Sequence, residues 1–314
     1  MRLSVPGTIL LLGEYAVLEE GGRGLAMAVD RRVRMDVEPF ESLEIRGAWQ
    51  GKAVSWRRGS SDSPLFAATV DVVEGWLKVS GRDPDALRCR IAIDSSAFFS
   101  PEGRKTGLGS SAAIAAGLVC ALLRAAGVPA DQGDAAAPGL AVRAHRQAQG
   151  GRGSGYDALC SFHGGAGLFT GGAQPTWEPC EIPGHPDVFL FPGPAPVSTP
   201  DAVGRYQAWK ALNPRQAREF LSASNRAVEN FLHAGSPRES VRAFSACRKI
   251  GIELGDTVGV PAWLPPPGSL AADLCKAVGA GNELGACLLA AGAATPPGTV
   301  FHRVRQDRGI SWEA

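Results

Sequence analysis

Lys105-Thr106-Gly107-Leu108-Gly109-Ser110-Ser111-Ala112-Ala113 runs without a break into Ile114-Ala115-Ala116-Gly117-Leu118-Val119-Cys120-Ala121-Leu122-Leu123. The pattern predicts a glycine- and serine-rich turn, with a cation at its entrance, opening into a buried alanine-rich helix. The first turn of a helix carries free backbone N–H groups and the positive end of the macrodipole, so it attracts an anion. Gly107 and Gly109 let the chain pass close to a bulky ligand, and Ser110 and Ser111 add hydroxyls that can cap the helix, bond a phosphate oxygen or ligate Mg²⁺. Read alone, the stretch also fits an ordinary loop with a serine cap.

A second glycine cluster, Gly150-Gly151-Arg152-Gly153-Ser154-Gly155-Tyr156-Asp157, carries one isolated acid. Two such turns and an acid suggest phosphoryl transfer, which needs backbone amides and cations on the phosphates, Mg²⁺ to offset charge, and an acid at the acceptor. Asp157 is the candidate for that last role; capping of the following helix is its plainer use.

The 314 residues, 45% apolar and 20% charged, are a globular composition large enough for one large or two ordinary domains. A net charge of +1 speaks against nucleic-acid binding driven by bulk electrostatics. The longest apolar run, Ala112–Leu123, is too short to span a bilayer, and the N-terminus does not read as a signal peptide. Seven scattered cysteines without a C-x-x-C pair suit reduced thiols in a cytoplasmic protein. His145, His163, His185, His233 and His302 are dispersed and read as surface or hydrogen-bonded histidines, not as metal ligands.

Along the chain, Arg2–Val5 and Ile9–Leu12 read as strands around a turn at Pro6-Gly7, Ala26–Val37 and Leu87–Ile93 as strands, and Phe66–Val79 as a helix. A helix is expected over Ala135–Gln149 with Pro138 in its first turn. Val188–Phe191 reads as a strand, Ala202–Leu212, Pro214–Ala234 and Arg238–Leu254 as helices, and Leu270–Val278 as a short helix before a third glycine turn at Gly279-Ala280-Gly281. Leu284–Ala291 and Thr299–Val304 read as closing strands, and the proline-rich stretch 183–200 as a domain hinge.

Three stretches resemble the three motifs of the GHMP kinase superfamily: Val5-Pro6-Gly7-Thr8-Ile9-Leu10-Leu11-Leu12-Gly13-Glu14-Tyr15-Ala16-Val17-Leu18, the Lys105–Ala113 turn, and the Gly279-Ala280-Gly281 region. Within it, Gly13-Glu14-Tyr15, Ala28-Val29-Asp30-Arg31-Arg32-Val33, Ala144-His145-Arg146 with Gln149-Gly150, Gly153-Ser154-Gly155-Tyr156-Asp157 and Ser198-Thr199 are similar to the phosphomevalonate kinase branch. The resemblance implies an α/β (α+β) two-domain fold, with a ribosomal-protein-S5-like N-terminal domain over 1–182 and a ferredoxin-like C-terminal domain over 183–314. It implies ATP and Mg²⁺ as cofactors and a small phosphorylated alcohol as substrate, with no nucleic acid or membrane partner, in a monomer or homodimer. It places Lys105, Gly107, Leu108, Gly109, Ser110, Ser111 and Ala112 on the nucleotide, Ser111 or Ser110 on the metal, and Asp157 with Lys105 in catalysis. Glu14, Tyr15, Arg152, Ser154, Gly155, Ser198 and Thr199 fall at the substrate.

Two departures from the motifs bear on activity. Thr8 stands where the first motif carries a lysine thought to polarise the acceptor, and Asn282-Glu283-Leu284 stands where the third continues with glycines and an acid. Arg31, Arg32, Lys105, Arg146 and Arg152 are candidate cations for an anionic acceptor. The leading expectation is phosphorylation of phosphomevalonate. A mevalonate kinase or other GHMP kinase, and a nucleotide-binding homologue that has lost catalysis, are the alternatives.

Overall fold

The computed structural model describes all residues except 50, 51, 61, 101, 102, 195, 196, 269, 295–301 and 314. The chain divides into two compact units, each built from separated segments: residues 1–8, 28–165 and 307–314 form the first, and 9–27 and 166–306 the second. Strands β1 (Arg2–Leu12) and β2 (Arg23–Pro39) each contribute residues to both units.

In the first unit, β3 (Glu44–Trp49) and β4 (Lys52–Arg57) form a hairpin. Helix α1 (Pro64–Val79) follows, capped by Ser63 Oγ, and leads to β5 (Cys89–Asp94), which pairs antiparallel with β2 and parallel with β3. Then come α2 (Ser110–Ala125), α3 (Ala130–Ala148) and α4 (Tyr156–His163). Alanine-rich α2 is the hub: it packs on α1, α3, α4 and β5, and Ala112 through Leu123 are buried apart from Cys120. A Cβ at Gly117 would meet Met35 and Val5 below 3.0 Å, so the missing side chain lets the helix lie close on the sheet.

In the second unit, β6 (Ala166–Thr170) pairs with Arg23–Met27 of β2 and with β7 (Thr176–Cys180). A separate sheet contains β8 (Asp187–Pro192), followed in sequence by helices α5 (Thr199–Leu212), α6 (Pro214–Leu232) and α7 (Pro237–Val258). Its other strands are β9 (Cys275–Val278), β10 (Leu284–Leu289) and β11 (His302–Val304), in the order β11-β8-β10-β9. Strand β12 (Ser311–Glu313) returns to the first unit and pairs with Arg2–Ser4 of β1. Among the described residues no helix is long and apolar enough to cross a membrane.

Several expectations are corrected. Pro6-Gly7 is not a turn but the middle of an unbroken β1: the Pro6 carbonyl accepts a hydrogen bond from Ser161 Oγ, and Gly7 leaves room for the Leu108 carbonyl and the Phe98 ring. Pro138 lies mid-helix, because α3 begins at Ala130 behind Pro129; its ring removes one internal hydrogen bond, which packing against α1 and α2 offsets. The stretch 270–278 is a 3₁₀ turn followed by β9, since register with β10 overrides an apolar pattern that fits either structure. The cysteines are not all reduced: Cys275 and Cys287 face each other across β9 and β10 and form a disulfide, while the other five are free. Of the expected strand at 299–304, residues 299–301 lie outside the described residues and β11 covers the rest.

Candidate active site

The first unit holds the phosphate-type loop. Gly109 takes φ +71° and ψ +28° and is the residue from which α2 starts, and among the described residues no side chain caps that helix. Its first amides therefore lack a side-chain acceptor, which leaves them as donors for an anion. Behind the loop, the Thr8 amide donates to the Leu108 carbonyl at 3.0 Å, and a Cβ at Gly109 would lie 2.6 Å from Thr8 Oγ1. Thr8 is 1% exposed and its hydroxyl has no hydrogen-bond partner among the described residues. Where the motif lysine would stand, this chain has a buried wedge under the loop, not a charge.

Lys105 and Gly107 are exposed at the mouth of the loop, with the Lys105 backbone bridged to Phe99, while Leu108, Ser110 and Ala112 are buried. Ser111 is half-buried, and its Oγ lies 3.1 Å from His145 Nε2.

Asp157 sits in the first turn of α4, which begins after Gly155 at φ +84°. A side chain at Gly155 would drive into Val142, so the glycine is needed both for its backbone angle and for close packing on α3. Asp157 Oδ1 accepts from the Ala158 amide at 2.9 Å and lies 3.3 Å from His145 Nδ1, a close contact too poorly aligned to count as a hydrogen bond. Burial works to raise the Asp157 pKa, but the His145 ring beside it and the hydrogen bond from the Ala158 amide outweigh burial and hold the carboxyl below its usual value. Arg146 braces the loop before it, donating to the Gly153 carbonyl at 3.0 Å and to the Ser154 carbonyl at 2.5 Å. Ser154 is buried and Arg152 exposed.

The ring that joins these parts is His145, 2% exposed, with Gln149 Nε2 also 3.1 Å from its Nε2. It belongs to a motif the sequence singles out, but five dispersed histidines hide which one the fold inserts between two loops. Arg32 is not an acceptor cation: it is spent on Asp307, the Ser4, Arg308 and Gly309 carbonyls and two serine hydroxyls, clamping the C-terminal segment.

The second unit holds Glu14, Tyr15, Ser198 and Thr199. Glu14 pairs with Lys276, a buried lysine that also donates to the Leu11 carbonyl at 3.1 Å and the Ala277 carbonyl at 2.7 Å. Burial raises the Glu14 pKa, against the pull of Lys276. Tyr15 adopts φ +64°, rare for a residue with a side chain, and its hydroxyl donates to the Ala280 carbonyl. Burial beside Glu14 pushes the phenol up to about 12. Thus Glu14 and Tyr15 grip Lys276 and the third glycine turn, which follows strand β9 and not a helix. Ser198 caps α5 through the Asp201 amide, with Thr199 exposed beside it. Glu283 accepts from the Val197 amide at 3.3 Å, so the departure in the third motif anchors the start of α5. Lys276 was not legible in the sequence, because its burial comes from strand register.

Were ATP–Mg²⁺ bound in the first unit, the α2 amides would face its phosphates and the Ser111 and Ser110 oxygens would be the hydroxyls nearest for the cation. Among the described residues no cluster of three or more His, Cys, Asp or Glu could hold a metal by itself, so the ion would share its ligands with phosphate oxygens.

Comparison with known proteins gives a consistent picture. Residues 76–165 match the family of GHMP kinases N terminal domains. A peroxisomal phosphomevalonate kinase from Arabidopsis thaliana is 31% identical over 47% of this chain and 38% of its own length. The chain spans less than two fifths of the curated relatives it matches. The Lin0012 protein of Listeria innocua superposes with a TM-score of 0.78 at 21% identity, covering 98% of this chain and all of the other. Streptococcus pneumoniae phosphomevalonate kinase, in complex with phosphomevalonate and AMPPNP, superposes with a TM-score of 0.68 at 18% identity over 92% of each chain. At such identities the structures show the shared two-domain α/β fold.

Proposed function

We propose, from the match of residues 76–165 to the N-terminal domain of the GHMP kinases, that this chain is an ATP-dependent phosphotransferase whose acceptor is a small phosphorylated alcohol, phosphomevalonate first among candidates. The observation that carries this reading is that the open N-terminus of α2 and the Asp157 carboxylate meet on one buried histidine ring.

ATP would supply the transferred phosphoryl group, with Mg²⁺ offsetting its charge. Each residue of this chain then has a defined task. The amides of Ser110, Ser111 and Ala112 bind phosphate oxygens, and Gly109 keeps the approach free of side chains. Asp157, held ionised, accepts a hydrogen bond from the acceptor and orients it. Arg146 fixes the carbonyls of the loop that carries Asp157, which keeps the geometry from loosening. Likeness to phosphomevalonate kinases supports the choice of acceptor.

The test is ADP release, by a coupled assay, over a panel of phosphomevalonate, mevalonate, galactose and homoserine. The expected result is turnover with phosphomevalonate that drops about 10²-fold or more in Asp157→Asn. Turnover of mevalonate alone overturns the acceptor. Thermal stabilisation by ATP without ADP from any acceptor overturns the kinase and leaves a nucleotide-binding protein.

A further inference from the structure

His145 stands between the two halves of the proposed chemistry, and it has no task of its own among the roles given above. Its ring is 2% exposed, on α3, with Ser111 Oγ and Gln149 Nε2 each 3.1 Å from Nε2, and Asp157 Oδ1 3.3 Å from Nδ1. Where the ring is neutral, its partners select one tautomer. The Gln149 amide nitrogen can only donate, and the Ser111 hydroxyl can do so, so Nε2 must be the bare, accepting nitrogen. The proton is then on Nδ1, where it faces a carboxylate, which can only accept. The order Asp–His–Ser is that of hydrolytic triads, but here the serine lies in the first turn of α2 with no carbonyl substrate implied.

We propose that His145 is a positioning residue that couples the nucleotide loop to the acceptor acid, an inference that rests on the kinase reading above. Through Nε2 it draws the hydroxyl proton of Ser111 inward, which turns the oxygen lone pairs of Ser111 away from the protein, toward the phosphate–cation side. Through Nδ1–H it holds the Asp157 carboxylate in one orientation. Gln149, the second donor on Nε2, keeps the ring from flipping.

Two substitutions separate the arms, because the amide of glutamine reaches the Nε2 position and that of asparagine only the Nδ1 position. His145→Gln keeps a partner for Ser111 and loses the one for Asp157. The expected outcome is an AMPPNP–Mg²⁺ dissociation constant within about 3-fold of the parent by calorimetry, and a kcat about 10- to 100-fold lower. His145→Asn does the reverse, with nucleotide affinity and KM for ATP weakened about 10-fold and kcat nearly kept. In the ligand-free protein, imidazole ¹⁵N shifts report the Nδ1–H tautomer. A ring protonated on Nε2, two folded variants that lose the same parameters to the same extent, or variants that lose nothing, each overturn the proposal. If the parent releases no ADP with any acceptor, the kinase reading fails by itself, and the nucleotide affinities and ¹⁵N shifts still decide the Ser111 arm.

Discussion

Replacing Gly109 by alanine tests whether the loop before α2 is shaped by backbone and space together. The residue sits at φ +71°, a conformation that costs an L-residue about 1–2 kcal/mol. Its new Cβ would lie 2.6 Å from Thr8 Oγ1, well inside van der Waals contact, with Thr8 N at 3.7 Å and Thr8 Cβ at 3.8 Å behind it. Thr8 is buried and its amide is tied to Leu108, so it yields only by distorting the loop, and overpacking of this kind costs about 1–3 kcal/mol. The sum is about 2–5 kcal/mol of lost stability in urea unfolding. Gly103→Ala is the control: it has φ +77° with nothing near its Cβ, so it bears only the first part. The cycle closes with Thr8→Ala. Alone it is close to neutral, because it removes a buried hydroxyl that has no partner; combined with Gly109→Ala it restores the packing part and leaves the backbone part. AMPPNP affinity should fall in Gly109→Ala and not in Gly103→Ala. If the two glycine variants unfold alike, or Thr8→Ala rescues nothing, Thr8 does not wedge the loop and the account of its orphaned hydroxyl is wrong.

Lys276→Met should cost about 3–5 kcal/mol at pH 7, because it leaves Glu14 buried without its partner. Burial already raises the folded pKa of Glu14, so its carboxyl is tolerated below about 4.5 and penalised as pH rises through the raised value; the loss in the variant should shrink on acidification, and a pH-independent loss measured by urea titration would contradict this. Glu44 behaves oppositely: hydrogen bonding from Arg90, then from Arg57 and Arg46, outweighs burial and lowers its pKa to about 2. Its stabilisation is full above the unfolded value of 4.5 and is lost as pH falls toward about 2, so Glu44→Gln should flatten that acid limb, and an unchanged limb would refute the assignment.

The local plan was written in the chain. An alanine-rich run after Gly-x-Gly-Ser-Ser can bury itself only as a helix, and glycines at 107, 109 and 155 mark backbone angles that side chains resist, so α2, its open N-terminus and the placement of Asp157 at the head of α4 could be foreseen from periodicity and turn chemistry. Tertiary structure decided what no local pattern encodes. Pro6-Gly7 became strand because Ser161 satisfies the proline carbonyl and the loop needs the space at Gly7. Residues 275–278 became strand, and two distant cysteines became a pair, because register with β10 set them opposite each other. Lys276 and His145 acquired their partners only through burial, which strips water from a charge or a ring nitrogen and compels it to find a group brought from elsewhere in the chain. Periodicity reports which face of an element is apolar; it does not report which polar groups that burial will force together.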